Sequence, residues 1–338
     1  MDAAGRDTGT DASTRPRKPL HPMTPVAPLV AVMGPTGAGK SEAALAIAAA
    51  WPAEVVNCDS LQLYRYLDIG TAKLIPAERA GVPHHLIDIV SPAEIFTAGD
   101  YARRARPILR SIARSGHLPI LAGGTGFYLR ALVEGLFPGP PRDTALRWRL
   151  EAREARRPGL LHRFLRRFDP PSATRIHAND RHKLLRAAEV CLVSKLPLSE
   201  QHRRSREALQ GFRLLKIILD PPRAALFERL DRRVVRMFDS GLIEETRALL
   251  VRGFAPESKP LGSLGYRQAV EYLAGKSSLG EAIRSTQQAT RRYAKRQWTW
   301  FRRETGAIWI RGFGQDPAVR TEILRCVSVF LSEFRNFP

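Results

Sequence analysis

Gly34-Pro35-Thr36-Gly37-Ala38-Gly39-Lys40-Ser41 reads G-x-x-x-x-G-K-[ST], and its flanks decide how it is read. Leu29-Val30-Ala31-Val32-Met33 leads into it as an apolar run of strand length, and the alanine-rich segment from Glu42 to Ala50 follows with helical character. Between strand and helix, the glycines let the backbone curl so that successive N–H groups face one anion at the positive end of the helix. Lys40 then reaches the outer phosphates, and the Ser41 hydroxyl is placed to sit on Mg²⁺. A glycine-rich turn met by chance is the competing reading, and the strand and helix on either side speak against it. The eight residues from Gly34 to Ser41 are therefore a candidate diphosphate-binding loop. The motif does not say which polyphosphate it holds.

Further strand ends extend the pattern. Glu54-Val55-Val56-Asn57-Cys58 reads as a second strand ending at Asp59-Ser60-Leu61-Gln62. Residues just past the strand ends of an open α/β sheet line its ligand crevice, so Asp59 is a candidate for chemistry beside the phosphates; capping a helix is the other common use of such an aspartate. His84-His85-Leu86-Ile87-Asp88-Ile89 suggests a short strand, and its paired histidines lack a third ligand at metal-site spacing. A helix is expected from Phe96 to Ser115. Leu118 to Ala122 is a buried strand ending at Gly123-Gly124-Thr125-Gly126, which places the Thr125 hydroxyl at another strand end or makes it a turn residue. Phe212 to Leu219 returns to strand character and closes on Asp220, in the manner of a Walker B aspartate. Two prolines follow at once and the run lies far along the chain from the loop, so Asp220 is discounted. In the next helix Arg229, Arg233 and Arg236 are spaced i, i+4, i+7 and share one face. Turned to the loop they would clamp phosphate; turned outward they would be a solvated stripe.

These elements imply an α/β protein with a P-loop NTPase-like parallel sheet and an inserted all-helical domain. Pro138-Gly139-Pro140-Pro141 breaks the chain, and helical periodicity dominates from there to Gln210. The expected division is a disordered tail over residues 1–28, a catalytic core over 29–141 and 211–338, and a helical insertion over 142–210. The net charge of +21 is unevenly spread. Residues 30–141 hold 10 Lys/Arg against 9 Asp/Glu, residues 142–213 hold 18 against 8, and residues 214–338 hold 22 against 13. The loop region is balanced and the excess lies beyond it, which favours a polyanionic partner, nucleic acid above all. No run of about 18 apolar residues is present, so no membrane span is expected. Three scattered cysteines (Cys58, Cys191, Cys326) form neither a disulfide framework nor a zinc motif, and a cytoplasmic location follows as the expectation.

Five stretches together carry a resemblance: G-P-T-G-A-G-K-S, N-C-D-S-L-Q-L-Y-R-Y-L-D-I-G-T-A-K, A-G-G-T-G-F-Y-L-R-A-L, L-G-Y-R-Q and A-K-R-Q-W-T-W-F-R. In this order, from about residue 29 to about residue 310, they resemble the bacterial tRNA dimethylallyltransferases (tRNA isopentenyltransferases), which prenylate adenosine 37 beside the anticodon. The resemblance implies that the loop holds the diphosphate of dimethylallyl diphosphate, with Mg²⁺ as cofactor. It implies that Asp59 takes a proton from the adenine N6 amine, that Thr125 contacts the bridging oxygen, and that Arg233 binds the diphosphate. The tRNA-contacting regions map to Asp59, Ser60, Leu61, Gln62, Thr125 and Arg147; to His182, Lys183, Leu184, Leu185 and Arg186; to Gly262, Ser263, Leu264, Gly265, Tyr266 and Arg267; and to Lys295, Arg296, Gln297 and Arg302. The implied partners are the tRNA anticodon stem-loop and dimethylallyl diphosphate, with the chain acting as a monomer. An adenylate prenyltransferase using a free nucleotide, an ATP-dependent small-molecule kinase and a non-catalytic RNA-binding protein are the alternatives. The basic insert counts against the first, the D-S-L-Q block against the second, and the joint presence of Lys40, Asp59, Thr125 and Arg233 against the third.

Overall fold

A computed structural model describes residues 26–203 and 207–334. Its frame is one parallel sheet of six strands: β1 (Ala27–Met33), β2 (Ala53–Asn57), β3 (His84–His85), β4 (Leu118–Gly123), β5 (Phe212–Leu219) and β6 (Ala307–Ile310). They lie in the order β3-β2-β4-β1-β5-β6. Helices α1 (Lys40–Ala50), α2 (Ala98–Arg114) and α3 (Gly126–Val133) accompany the first four strands. Between β4 and β5 come α4 (Thr144–Arg156), α5 (Leu160–Phe168), α6 (Pro170–Arg175), α7 (Arg181–Ser194) and α8 (Leu198–Gln201). Helices α9 (Arg223–Asp239), α10 (Leu242–Val251), α11 (Tyr266–Leu273) and α12 (Leu279–Phe301) separate β5 from β6, and α13 (Pro317–Leu331) follows. The expected α/β class with a parallel sheet is what forms. No helix among the described residues is long and apolar enough to cross a membrane.

The central strand shows why its sequence is apolar throughout. Leu29, Ala31 and Met33 of β1 enter the core on one face of the sheet, with Tyr101, Leu109 and Phe301. Val30 and Val32 enter the core on the other, with Ile47, Ile323 and Phe330. A strand covered on both faces loses the polar half of its alternation. The segment between β4 and β5 has a cluster of its own, which includes Leu150, Leu161, Leu165, Leu184, Leu185 and Cys191. Beside it, the fully buried Glu189 accepts from the Asp143 N–H at 2.8 Å, from Arg147 at 3.1 Å and from Arg186 at 2.7 Å. A buried carboxylate is tolerable when several donors neutralise it in this way.

Four local expectations are corrected. The first strand starts at Ala27, so Ala27 and Pro28 belong to the sheet and not to the tail; residues 1–25 of that tail lie outside the described residues. The strand expected over 84–89 stops at His85, because Leu86 and Asp88 adopt left-handed φ values of 59° and 56° that no strand continues through. The remoteness of β5 is only one of sequence, since it pairs with β1 along the whole of that strand. Asp220 at its end accepts from the Trp298 indole N–H at 2.8 Å and does not line the cavity described below. Finally, β6 was not anticipated, four residues being too short for a pattern to register.

Candidate active site

The carboxyl ends of β1, β2 and β4 open, together with one face of α9, onto a cavity of about 640 Å³. Thr36, Lys40 and Ser41 line it from the loop, Asp59 and Gln62 from beyond β2, and Arg233 from α9. The loop needs its glycines. Gly37 sits at φ 78°, and a Cβ there would come within 2.8 Å of Leu230 Cδ2. The loop is thus pressed against α9, which brings diphosphate donors and the arginine helix together. On α9 the buried side chains are Leu226, Leu230, Val234 and Phe238, and Arg229, Arg233 and Arg236 line the cavity. Arg229 and Arg233 are half-buried and Arg236 is exposed, so the row is turned to the loop with only its far end solvated.

Lys40 Nζ donates to the Pro35 carbonyl at 2.8 Å. Burial draws its ammonium down to about 8, with the Asp59 charge opposing and Arg233 adding to the fall. Burial likewise lowers Arg233, again against the pull of Asp59. Two crowded cations with only partial compensation favour an incoming anion. A bound diphosphate restores the Lys40 proton, so affinity for a diphosphate monoester is expected to fall as pH rises through about 8. The limiting slope is about tenfold per pH unit. Calorimetric titration between pH 6.5 and 9.5 checks this; Lys40→Met should bind more weakly with a flat profile, and a flat wild-type profile would contradict the assignment.

Asp59 is held as well as placed. Its Oδ1 accepts from the Leu61 N–H at 2.9 Å, while its own N–H donates to Asn57 Oδ1 at 3.0 Å. One carboxylate oxygen is engaged by this turn and the group faces the cavity. Thr125 begins α3 without capping it. Its hydroxyl oxygen accepts from the Ser60 N–H at 3.1 Å, which joins the ends of β2 and β4, and its side chain also hydrogen-bonds Tyr293; Thr125 stands behind the residues that line the cavity. Tyr293 of α12 stands within the same electrostatic environment: burial pushes its hydroxyl up, the Asp59 charge adds to this, and the Thr125 side chain opposes it. Burial pushes the neighbouring Cys58 thiol up to about 12, so it is no nucleophile.

The residues mapped to RNA contact divide. His182 and Lys183 at the start of α7 are exposed, as are Lys295, Arg296 and Arg302 around α12, and Gly262 and Arg267 near α11. Leu184 and Leu185 are 1% and 3% exposed and Tyr266 is fully buried, so these three side chains are core and the expectation of RNA contact is corrected for them. Gln297 is also buried; its amide accepts from the Thr36 N–H at 2.8 Å and donates to the Gly124 carbonyl at 2.9 Å. It thereby ties the phosphate loop to the turn that carries Thr125. Arg147 and Arg186 are held by Glu189, and Ser263 and Leu264 are half-buried.

Among the described residues no group of three or more His, Cys, Asp or Glu side chains can hold a metal ion by itself. His85 and His117 both engage Glu54, at 2.6 and 2.8 Å. Ser41, whose hydroxyl is of the oxygen type that a hard divalent cation takes, lines the cavity beside Lys40.

Comparison with known proteins points to one family. The family profile for IPP transferase matches residues 62–304. A tRNA dimethylallyltransferase of Solibacter usitatus is 57% identical over 90% of this chain and 99% of its own. One from Koribacter versatilis is 51% identical over 88% of this chain and 97% of its own. Among solved structures, the tRNA isopentenylpyrophosphate transferase of Bacillus halodurans superposes with a TM-score of 0.68 at 36% identity, over 91% of this chain and 97% of that one. A eukaryotic dimethylallyltransferase acting on tRNA superposes with a TM-score of 0.74 at 27% identity, over 91% of this chain and 79% of that one.

Proposed function

The chain belongs to the IPP transferase family, and on that premise we propose that it transfers the dimethylallyl group of dimethylallyl diphosphate to N6 of adenosine 37 in tRNA, releasing pyrophosphate. The observation that carries this reading is that Asp59, the carboxylate just past the end of β2, meets the loop lysine and the α9 arginines around a single cavity. A kinase would leave that carboxylate arrangement and the basic insert unexplained.

In the reaction the bond between the dimethylallyl C1 and the bridging oxygen breaks, a bond from N6 to C1 forms, and N6 loses a proton. Asp59 receives that proton, with Oδ1 steadied by the Leu61 N–H. Thr125 donates its hydroxyl hydrogen to the bridging oxygen, being oriented by the Ser60 N–H. Lys40, Arg233 and the loop amides meet the negative charge that grows on the leaving diphosphate. Mg²⁺ at Ser41, when bound, adds positive charge at the same phosphates. The target base must leave the anticodon-loop stack to enter the cavity.

The insert and α12 are assigned to the RNA. Stem-loop affinity is expected to fall steeply with salt, because each neutralised phosphate releases counterions. Replacing Lys183, Lys295 and Arg296 together with alanine should flatten the slope of log affinity against log salt by about two units. Fluorescence titration at several salt concentrations measures the slope, and an unchanged slope would remove these side chains from the interface. A turnover assay at physiological salt distinguishes the free-nucleotide alternative: turnover of AMP matching that of a stem-loop would overturn the tRNA assignment and leave prenyl transfer standing.

A further inference from the structure

All but Gly70 of the stretch Asp68-Ile69-Gly70-Thr71-Ala72-Lys73 line the cavity, and no role in the reaction has so far fallen to it. Its backbone is held by one side chain from a different part of the chain. Glu245, in the first turns of α10, accepts from the N–H groups of Asp68 at 3.0 Å, Ile69 at 2.9 Å and Gly70 at 3.3 Å. The same carboxylate accepts from the Tyr266 hydroxyl at 2.5 Å. Tyr266 also shapes the strap sterically, since a Cβ at Gly70 would lie 2.5 Å from its ring. Four donors on one carboxylate, one of them a buried phenol, make a rigid anchor.

The strap's one cation is committed to acidic neighbours. Lys73, with only 4% of its side chain exposed, pairs with Asp68 at 2.7 Å and Asp88 at 2.6 Å. What it turns to the cavity is Ile69, Thr71 and Ala72, together with the paired Asp68 and Lys73, so it carries no free cation there. Such a wall has little to offer a diphosphate, which the loop and the arginines take. It suits the five-carbon chain and the acceptor base beside Asp59. Gln62, which also lines the cavity, donates to the Thr71 carbonyl at 3.2 Å and so joins strap and Asp59 segment.

We propose that Glu245 is a positioning residue for the transfer step, one that fixes the strap so that acceptor and prenyl carbon meet, without a part in binding diphosphate. This rests on the prenyl-transfer reading above. A wall misplaced by about 1 Å is enough to cost on the order of a hundredfold in rate when reacting atoms must be aligned.

Glu245→Gln keeps size and one accepting oxygen but turns an NH2 toward Gly70 N–H or the Tyr266 hydroxyl. Tyr266→Phe keeps the ring and removes only the hydroxyl. The expected result is a fall in kcat on a stem-loop of tenfold or more for Glu245→Gln and a few-fold for Tyr266→Phe. Inorganic pyrophosphate affinity should stay within twofold in both, and amide hydrogen exchange should quicken selectively over residues 66–74. Unchanged kcat with unchanged exchange, or pyrophosphate affinity falling in step with kcat, would overturn the proposal. Should Glu245→Ala fail to fold, these two gentler variants still decide it. If the wild type does not prenylate RNA, the functional reading fails instead, and the exchange experiment continues to report on the anchor.

Discussion

Asp59→Ala is expected to lower turnover by about 10² to 10⁴, the usual cost of losing a general base, while leaving stem-loop affinity and pyrophosphate affinity close to wild type. An exocyclic adenine amine is a weak nucleophile because its lone pair is drawn into the ring, so a base must take up the proton as the bond to carbon forms. Asp59 is the carboxylate at the end of β2 that lines the cavity beside Lys40 and Arg233. Removing it also removes the charge that opposes the lowering of both Lys40 and Arg233. Pyrophosphate binding of the variant should therefore lose affinity at a lower pH than that of the wild type, since Lys40 surrenders its proton earlier. Asp59→Asn keeps the turn through its side-chain oxygen and loses the base, so it should be as slow as the alanine variant. Near-wild-type turnover in either variant would take Asp59 out of the mechanism.

Arg233→Ala is expected to cost about 10² to 10³, on the scale of removing one preorganised donor to developing charge. The loss should appear in kcat as well as in KM, because the charge on the leaving diphosphate grows between ground state and transition state. Arg229 supplies the contrast. It lies on the same face of α9 but is drawn toward Glu42, 3.6 Å away, and its guanidinium stands over the Phe313 ring. Arg229→Ala should therefore have the smaller effect, seen mainly in KM. Steady-state kinetics on both variants decides the matter: equal losses would mean that the helix contributes only a diffuse field, and no loss at Arg233 would separate α9 from the leaving group.

The parts of this site that were legible in the sequence are those written locally. A strand, a glycine turn and a helix start follow one another within about a dozen residues at Gly34–Ser41, and Asp59 and Thr125 each stand just past an apolar run. The spacing of Arg229, Arg233 and Arg236 gave one face of a helix, though not the direction in which it points. Residues whose roles depend on long-range contact left no such mark. Gln297 reaches the loop from 261 positions away, and Glu245 reaches the Asp68–Gly70 amides from about 175; neither carries a local pattern. Mapping whole stretches onto RNA contact also overlooks that a helix has two sides. In α7 the exposed His182 and Lys183 sit directly before Leu184 and Leu185, which belong to the insert's core. Tyr266 follows the glycine turn at Gly265 but turns inward to Glu245. The short β3 shows the complementary failure, where an apolar run reads as a strand until two residues take left-handed backbone conformations.

The central claim is that the cavity joins a dimethylallyl diphosphate to a tRNA adenine. Its most direct test is mass analysis of nucleosides from unmodified tRNA incubated with the full chain, dimethylallyl diphosphate and Mg²⁺. The expected product is adenosine heavier by one isoprenyl unit, found only in tRNAs with adenosine at position 37, with one pyrophosphate released per modified nucleoside and about 10² to 10⁴ times less formed per unit time by Asp59→Ala. Unmodified adenosine alongside full wild-type turnover of ATP, or of free AMP, would contradict it.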